Sequence, residues 1–191
     1  MIKLVRVDHR LLHGQVAMAW TQSLDVDCML IANDAIMKDE IRKTTLKLAK
    51  PNGVKLVMKN IEDSITALNS GVTDKYKLFI VVESIEDAHR LAVSCRNIRE
   101  INLGGLKPRE EAVKKLYKTI PVSAQDEVLL RELIEAGNRD EIREGAGGGK
   151  NEDVWGCQSF RKKDGKSSSR IYKKLGKYNA LLEQFDVKEI I

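Results

Sequence analysis

The sequence predicts an α/β fold: an open, mostly parallel sheet with helices on both faces, for which the last third of the chain offers no evident final strand. Two observations predict it. Short apolar runs of strand length alternate with segments whose apolar residues recur at helical spacing, from the N-terminus to Gly137. Helices of that length between strands make right-handed crossovers, and these build a parallel sheet covered on each side.

The elements follow in order. Residues 2–7 alternate apolar and polar side chains and end at Asp8, a strand pattern, and residues 16–24 suit a helix. Residues 28–32 are a short apolar run, followed by Asn33-Asp34 and a helix over 36–49. Pro51-Asn52-Gly53 is a turn, residues 54–58 a strand, and residues 61–68 a helix with Gly71 as its stop. Residues 76–82 are the most continuous buried strand. Glu86 and Asp87 suit the first turn of a helix over 85–93, where carboxylates meet the positive end of the dipole. Residues 98–103 are a strand running into Gly104-Gly105, and Pro108 suits the first turn of a helix through Tyr117. Residues 120–122 form a short strand, after which Ser123 and Gln125-Asp126 open a helix over 127–136.

Composition narrows the class. A chain of 191 residues can enclose a real core, and 42% hydrophobic with 32% charged residues is ordinary for a globular protein. No apolar run approaches the roughly 20 residues that span a bilayer. The N-terminus shows no basic stretch followed by an apolar one, so no signal peptide and a cytoplasmic location are expected. Cys28, Cys95 and Cys157 form no CxxC pair, which argues against a disulfide framework or a structural zinc site; Cys28 and Cys95 sit in apolar surroundings and read as reduced core residues. A net charge of +5 permits an acidic partner without indicating nucleic acid, and none is expected.

In parallel sheets ligands bind beyond the carboxyl ends of the strands. That rule selects Asp8, His9, Arg10 and His13 after the first strand, Asn33 and Asp34 after the second, and Lys59 and Asn60 after the third. Glu83 and Ser84 follow the fourth, Gly104 and Gly105 the fifth. The densest group is Asp8-His9-Arg10-Leu11-Leu12-His13-Gly14-Gln15. A loop entering a helix at Gly14 presents unpaired backbone N–H groups and a positive dipole, which suit an anion. Arg10 adds a forked cationic donor for phosphate. His13 adds an imidazole that is largely neutral at pH 7 and so nucleophilic. Together they are the parts that reversible phosphoryl transfer to histidine requires, although spacing alone leaves a solvated or capping histidine open.

The stretch VRVDHRLLHGQVAMAW resembles the N-terminal signature of IIB components of mannose/fructose/sorbose-type sugar phosphotransferase systems, whose usual form is close to RIDDRLIHGQV. The resemblance continues through IANDAIMKDEIRKTTLKLAKPNGVKL, INLGGL and VSAQDEVLLRELIEAG, so residues 1–137 read as a IIB domain. It implies that His13 is the phosphohistidine intermediate, with Nδ1 as acceptor, and that Arg10 assists it. The implied partners are a phosphorylated IIA protein as donor and a membrane IIC/IID permease where the sugar is bound, with the chain associated peripherally; a homodimer is compatible. Arg10 and the N–H groups near Gly14 would stabilise the transferring oxygens. Asp8 would orient Arg10 or the imidazole and Gln15 would donate to phosphate, with Asn33 and Ser84 as further phosphate-binding or orienting candidates. His9 replaces the second aspartate of the usual motif; it reads as solvated, or as added positive charge at low pH. His89 reads as a surface residue and Trp20 as packing, with partner contact as its alternative. No metal or organic cofactor is implied: His9 and His13 are spaced to share a helical face, but no third ligand is evident.

Residues 138–191 do not fit this pattern. The family would continue into a strand of the type V-E-I-R-x-V-P, but the chain is polar and glycine-rich through Gly149. Eight basic residues against one acidic follow between Trp155 and Lys177. This stretch reads as an atypical tail, either of solvated or disordered composition or the product of a slipped reading frame near Gly137. Two other functional classes find less support: a nucleotide-binding module lacks a GxGxxG or Walker loop, and a histidine phosphatase lacks an RHG-type motif.

Overall fold

A computed structural model of the chain describes residues 1–107, 114–117, 120–135, 143–144 and 158–161. Alternation in IKLVRV makes β1 (Ile2–Val7), with Val5 and Val7 on one side of the sheet and Leu4 on the other. Then come α1 (Gly14–Leu24), β2 (Cys28–Ala32), a short 3-10 turn (Ala35–Lys38), α2 (Glu40–Leu48), β3 (Lys55–Lys59) and α3 (Ile61–Asn69). They are followed by β4 (Leu78–Val82), α4 (Ile85–Ser94), β5 (Glu100–Leu103), β6 (Lys114–Tyr117), β7 (Ile120–Val122) and α5 (Ala124–Glu135). Two short strands, β8 (Arg143–Glu144) and β9 (Gln158–Arg161), complete the order.

The main sheet runs β3-β2-β4-β1-β5-β9-β8. Its first five strands are parallel, as expected. The two central strands β2 and β4 are buried along their whole length, and their continuous apolar sequences reflect burial on both faces. One face packs Val5, Leu30, Ile80 and Ile101 against Ile61, Leu91 and Leu130 of α3, α4 and α5. The other packs Leu4, Met29, Ile31 and Phe79 against Trp20 of α1 and Leu46 of α2. Each large apolar side chain enclosed in this way contributes about 1.5–3 kcal/mol. Trp20 is a packing residue, stacked on Phe79 with centroids 6.0 Å apart. Cys28 and Cys95 are buried free thiols. Among the described residues no helix is long and apolar enough to cross a membrane.

Four local expectations change. The helix over 36–49 is broken at Asp39, whose extended backbone ends the 3-10 turn and whose carboxylate accepts the Arg42 N–H at 2.8 Å to cap α2. In place of a helix through Tyr117, Lys114–Tyr117 is a strand paired antiparallel with β7, because an adjacent strand offers backbone partners that outweigh modest helix propensity; residues 108–113 lie outside the described residues. His89 is not a free surface residue: its Nε2 lies 2.7 Å from Glu132 Oε2, where α5 packs on α4. Finally, two strands occur beyond residue 137, where none was predicted. β9 runs antiparallel to β5, and β8 antiparallel to β9. An open sheet edge offers N–H and C=O groups that any backbone can pair, whatever its side chains. The division at 137/138 and Cys157 lie outside the described residues.

Candidate phosphoryl-transfer site

The site begins where β1 leaves the sheet. Asp8 N–H donates to the Val82 carbonyl at 2.9 Å, His9 N–H to Gly105 at 2.9 Å, and Gly104 N–H to Val7 at 2.7 Å, so the end of β1 is fixed between β4 and β5. The chain then reverses in one turn, closed by Leu11 N–H donating to the Asp8 carbonyl at 2.8 Å. Leu11 takes a left-handed conformation, φ 57°, with its side chain buried. Such a conformation is strained for a residue with a Cβ and is held here by the surrounding packing. The turn leaves the Arg10 side chain about half exposed and delivers His13 to the start of α1.

His13 occupies the N-cap position of α1 but makes no capping hydrogen bond through its side chain, and the first turn holds no acidic residue. The other described α-helices differ. Asp39, Asn60, Ser84 and Ser123 accept backbone N–H groups at 2.7–3.1 Å, and acidic residues stand in each first turn. The first N–H groups and positive dipole of α1 therefore meet no side-chain cap or carboxylate among the described residues, an arrangement that suits an anion. Gly14 has φ +26° with open space around its Cβ direction, so its lack of a side chain serves the backbone turn into the helix.

Both ring nitrogens of His13 are withdrawn from solvent, and no side chain among the described residues bonds them. Burial lowers the pKa of the ring; Asp8 and the nearby Leu11 backbone carbonyl oppose this, while Arg10 and Arg6 reinforce it. The imidazole is thus predominantly neutral at pH 7, so one ring nitrogen carries a lone pair. Asp8 is fully buried and connects the two arginines. Its Oδ2 accepts from Arg6 Nη2 at 2.9 Å, and its Oδ1 accepts from the Arg10 backbone N–H at 3.1 Å and from Arg10 Nε at 3.4 Å.

Of the residues predicted for the site, Asp8, Arg10, His13 and Gly14 come together here. Gln15 is the second residue of α1, and its side chain lies outside the described part of the structure. Asn33 and Ser84 engage the scaffold: Asn33 donates to Glu83 Oε2 at 2.7 Å and accepts from the Ile36 N–H at 2.8 Å, while Ser84 caps α4. His9 is only half-buried and is bonded to the scaffold as well as reaching solvent. Its Nδ1 lies 2.8 Å from the Gly105 carbonyl, which only accepts, so Nδ1 carries the proton. This binds His9 to the turn, apart from any helical face shared with His13. A cleft of about 210 Å³ beside His9 is lined by Ser84, Asp87, Lys107 and Asp126. His13 does not line it, and its carboxylates would repel an anionic group.

Sequence reading overlooked Arg6 and Asn102. Both are almost fully buried, and Arg6 Nη1 donates to Asn102 Oδ1 across β1 and β5. A signal was present: each is a polar residue between two apolar ones, Val5 and Val7 or Ile101 and Leu103, in the middle of a buried strand.

Comparison with known proteins bears on this arrangement. The family model for the sorbose subfamily IIB component of the phosphotransferase system matches residues 2–169, reaching past Gly137. A probable phosphotransferase enzyme IIB component of Streptococcus pyogenes serotype M6 is 35% identical over 138 residues, covering 70% of this chain and 85% of the relative. The sorbose-specific EIIB component of Lacticaseibacillus casei is 30% identical over 142 residues, covering 74% of this chain and 86% of the relative. Among solved structures, the IIB domain of the sorbose permease from Klebsiella pneumoniae superposes with a TM-score of 0.67 at 29% identity, covering 72% of this chain and 83% of that one.

Proposed function

The chain belongs to the sorbose-subfamily IIB components of the phosphotransferase system, sugar phosphotransferases that act as phosphocarriers, and from that membership we propose that His13 carries the phosphoryl group. The observation that carries this reading is an imidazole whose burial favours its neutral form, at the one described α-helix N-terminus without a side-chain cap, beside an arginine held by a buried carboxylate. The donor is a phosphohistidine on a IIA protein. Its N–P bond breaks as the His13 N–P bond forms, and the proton that His13 loses from its second ring nitrogen matches the one the donor imidazole takes up. Arg10 and the first N–H groups of α1 stabilise the three transferring oxygens. Both nitrogens are turned from solvent, so transfer requires the ring to rotate outward to meet the donor. The phosphoryl group then passes to a sugar bound by a membrane IIC/IID permease, with the chain docked on its cytoplasmic side.

Phosphoryl transfer to the purified chain tests this reading. Phosphoenolpyruvate, the general phosphotransferase proteins and a IIA protein are supplied, and wild type is compared with His13→Ala. Acid-labile label on the folded wild type and none on the variant is expected, and the label should persist until an acceptor is added. Folded wild type that takes no label, or label that hydrolyses with turnover as in a phosphatase, would overturn it.

A further inference from the structure

We propose that Arg6 is a positioning residue for phosphoryl transfer, setting the guanidinium of Arg10 through Asp8; the proposal rests on the phosphocarrier reading of His13. Arg6 lies in β1 between Val5 and Val7, and only 2% of it is exposed. Its side chain is held on three sides. Nη1 donates to Asn102 Oδ1 on β5, Nη2 donates to Asp8 Oδ2 at 2.9 Å, and the guanidinium carbon stands 5.3 Å from the Trp20 ring centroid. Gly104 makes the room: a Cβ there would lie 2.5 Å from Arg6 Nη2.

The carboxylate of Asp8 is therefore a joint between an inner arginine that is closed off from any ligand and an outer one that is open to it. Its second oxygen accepts from both the backbone N–H and Nε of Arg10. A guanidinium is a rigid planar fork, so an arginine locked on one carboxylate oxygen also fixes where the other oxygen sits. Arg10 is about half exposed, and without that anchor its long side chain would spread over many rotamers. A purely stabilising role accounts for less. Buried ion pairs are often matched or bettered by apolar side chains of similar volume, and apolar residues already flank Arg6 on both sides. A second basic charge fixed beneath the site also complements an arriving phosphoryl group.

Arg6 acting through Arg10 has a signature that a scaffold role lacks: the two losses do not multiply. The test phosphorylates the full chain with phosphoramidate and follows phosphohistidine by 31P NMR in wild type, Arg6→Lys, Arg10→Ala, the double variant and His13→Gln. Circular dichroism and cooperative urea unfolding verify folding. Arg6→Lys is expected to label about 10- to 100-fold more slowly than wild type, as for a small misplacement of a catalytic group. The double variant is expected to label no more slowly than Arg10→Ala alone. Folded Arg6→Lys that labels at the wild-type rate, or losses that multiply in the double variant, would overturn the proposal while leaving His13 as carrier. Label persisting in His13→Gln would instead remove the carrier reading on which it rests. If Arg6→Lys does not fold, Asn102→Ala, which keeps the Arg6–Asp8 pair but removes the acceptor of Arg6 Nη1, takes its place under the same criteria. Unfolding of both variants would make the pair a scaffold and also overturn the proposal.

Discussion

Arg6 Nη2 lies 2.9 Å from Asp8 Oδ2 in an ion pair whose side chains are 3% and 0% exposed. Removing one member of such a pair strands a charge away from water. Asp8→Ala is therefore expected to lower the unfolding free energy by about 3–5 kcal/mol. Urea denaturation followed by circular dichroism measures this, and a loss below 1 kcal/mol would show that water reaches Arg6 once the carboxylate is gone.

Gly104→Ala addresses the same pair sterically. The new Cβ would stand 2.5 Å from Arg6 Nη2 and 2.7 Å from the Val7 carbonyl, and the backbone atom cannot move aside cheaply. A destabilisation of about 3 kcal/mol is expected from such overpacking. Thermal melts compared with Gly105→Ala, whose Cβ meets nothing closer than His9 Nδ1 at 3.5 Å, provide the control; equal melting temperatures would count against the packing described.

Arg10→Ala should separate catalysis from stability. The side chain is about half exposed, so its ion pair with Asp8 contributes about 1 kcal/mol or less to folding. Transfer from phospho-IIA should nevertheless slow by about 10²–10³-fold, as for loss of one donor to a transition-state oxygen. Rapid-quench measurement of His13 labelling decides, and a rate within threefold of wild type would exclude Arg10 from the reaction.

The pH dependence follows from His13. Burial holds its folded pKa below 6.5, so below that pH the unfolded chain binds a proton that the folded chain refuses. The stability contribution is complete above pH 6.5 and declines as pH falls toward the folded pKa. Unfolding free energy between about pH 7.5 and 5 should therefore fall more steeply for wild type than for His13→Gln. Parallel profiles would mean that the ring titrates as it does in water.

Cys28 and Cys95 are buried, and burial raises both thiol pKa values. Neither should react with iodoacetamide in the native chain, while both should react in urea, as read by peptide mass spectrometry. Native labelling at either position would reveal local opening of β2 or of the end of α4.

Much of this architecture was legible because its signals are local. The continuous apolar sequence of β4 and the Ser84–Asp87 opening of α4 report on residues one turn or one pleat apart. The loop from Asp8 to Gly14 was legible for the same reason, since its histidine, arginine and glycine are neighbours in sequence. Asp39 was readable as a cap only in hindsight, because the apolar spacing continues across it. The strand Lys114–Tyr117 was misread because its pairing with Ile120–Val122, not its own propensity, decides its conformation.

By itself, then, the sequence determined the alternation of strands and helices, the family signature and the place of His13 ahead of a helix. Tertiary structure alone decided that β1 lies between β4 and β5, and hence that Arg6 reaches Asn102 across a separation of 96 residues. It also decided that Asp8 faces inward to join two arginines, and that β9 rather than solvent meets the edge of β5. Side-chain periodicity is set by backbone geometry over a few residues, whereas the order of strands and the partners of a buried charge are settled only when distant segments compete for the same interior.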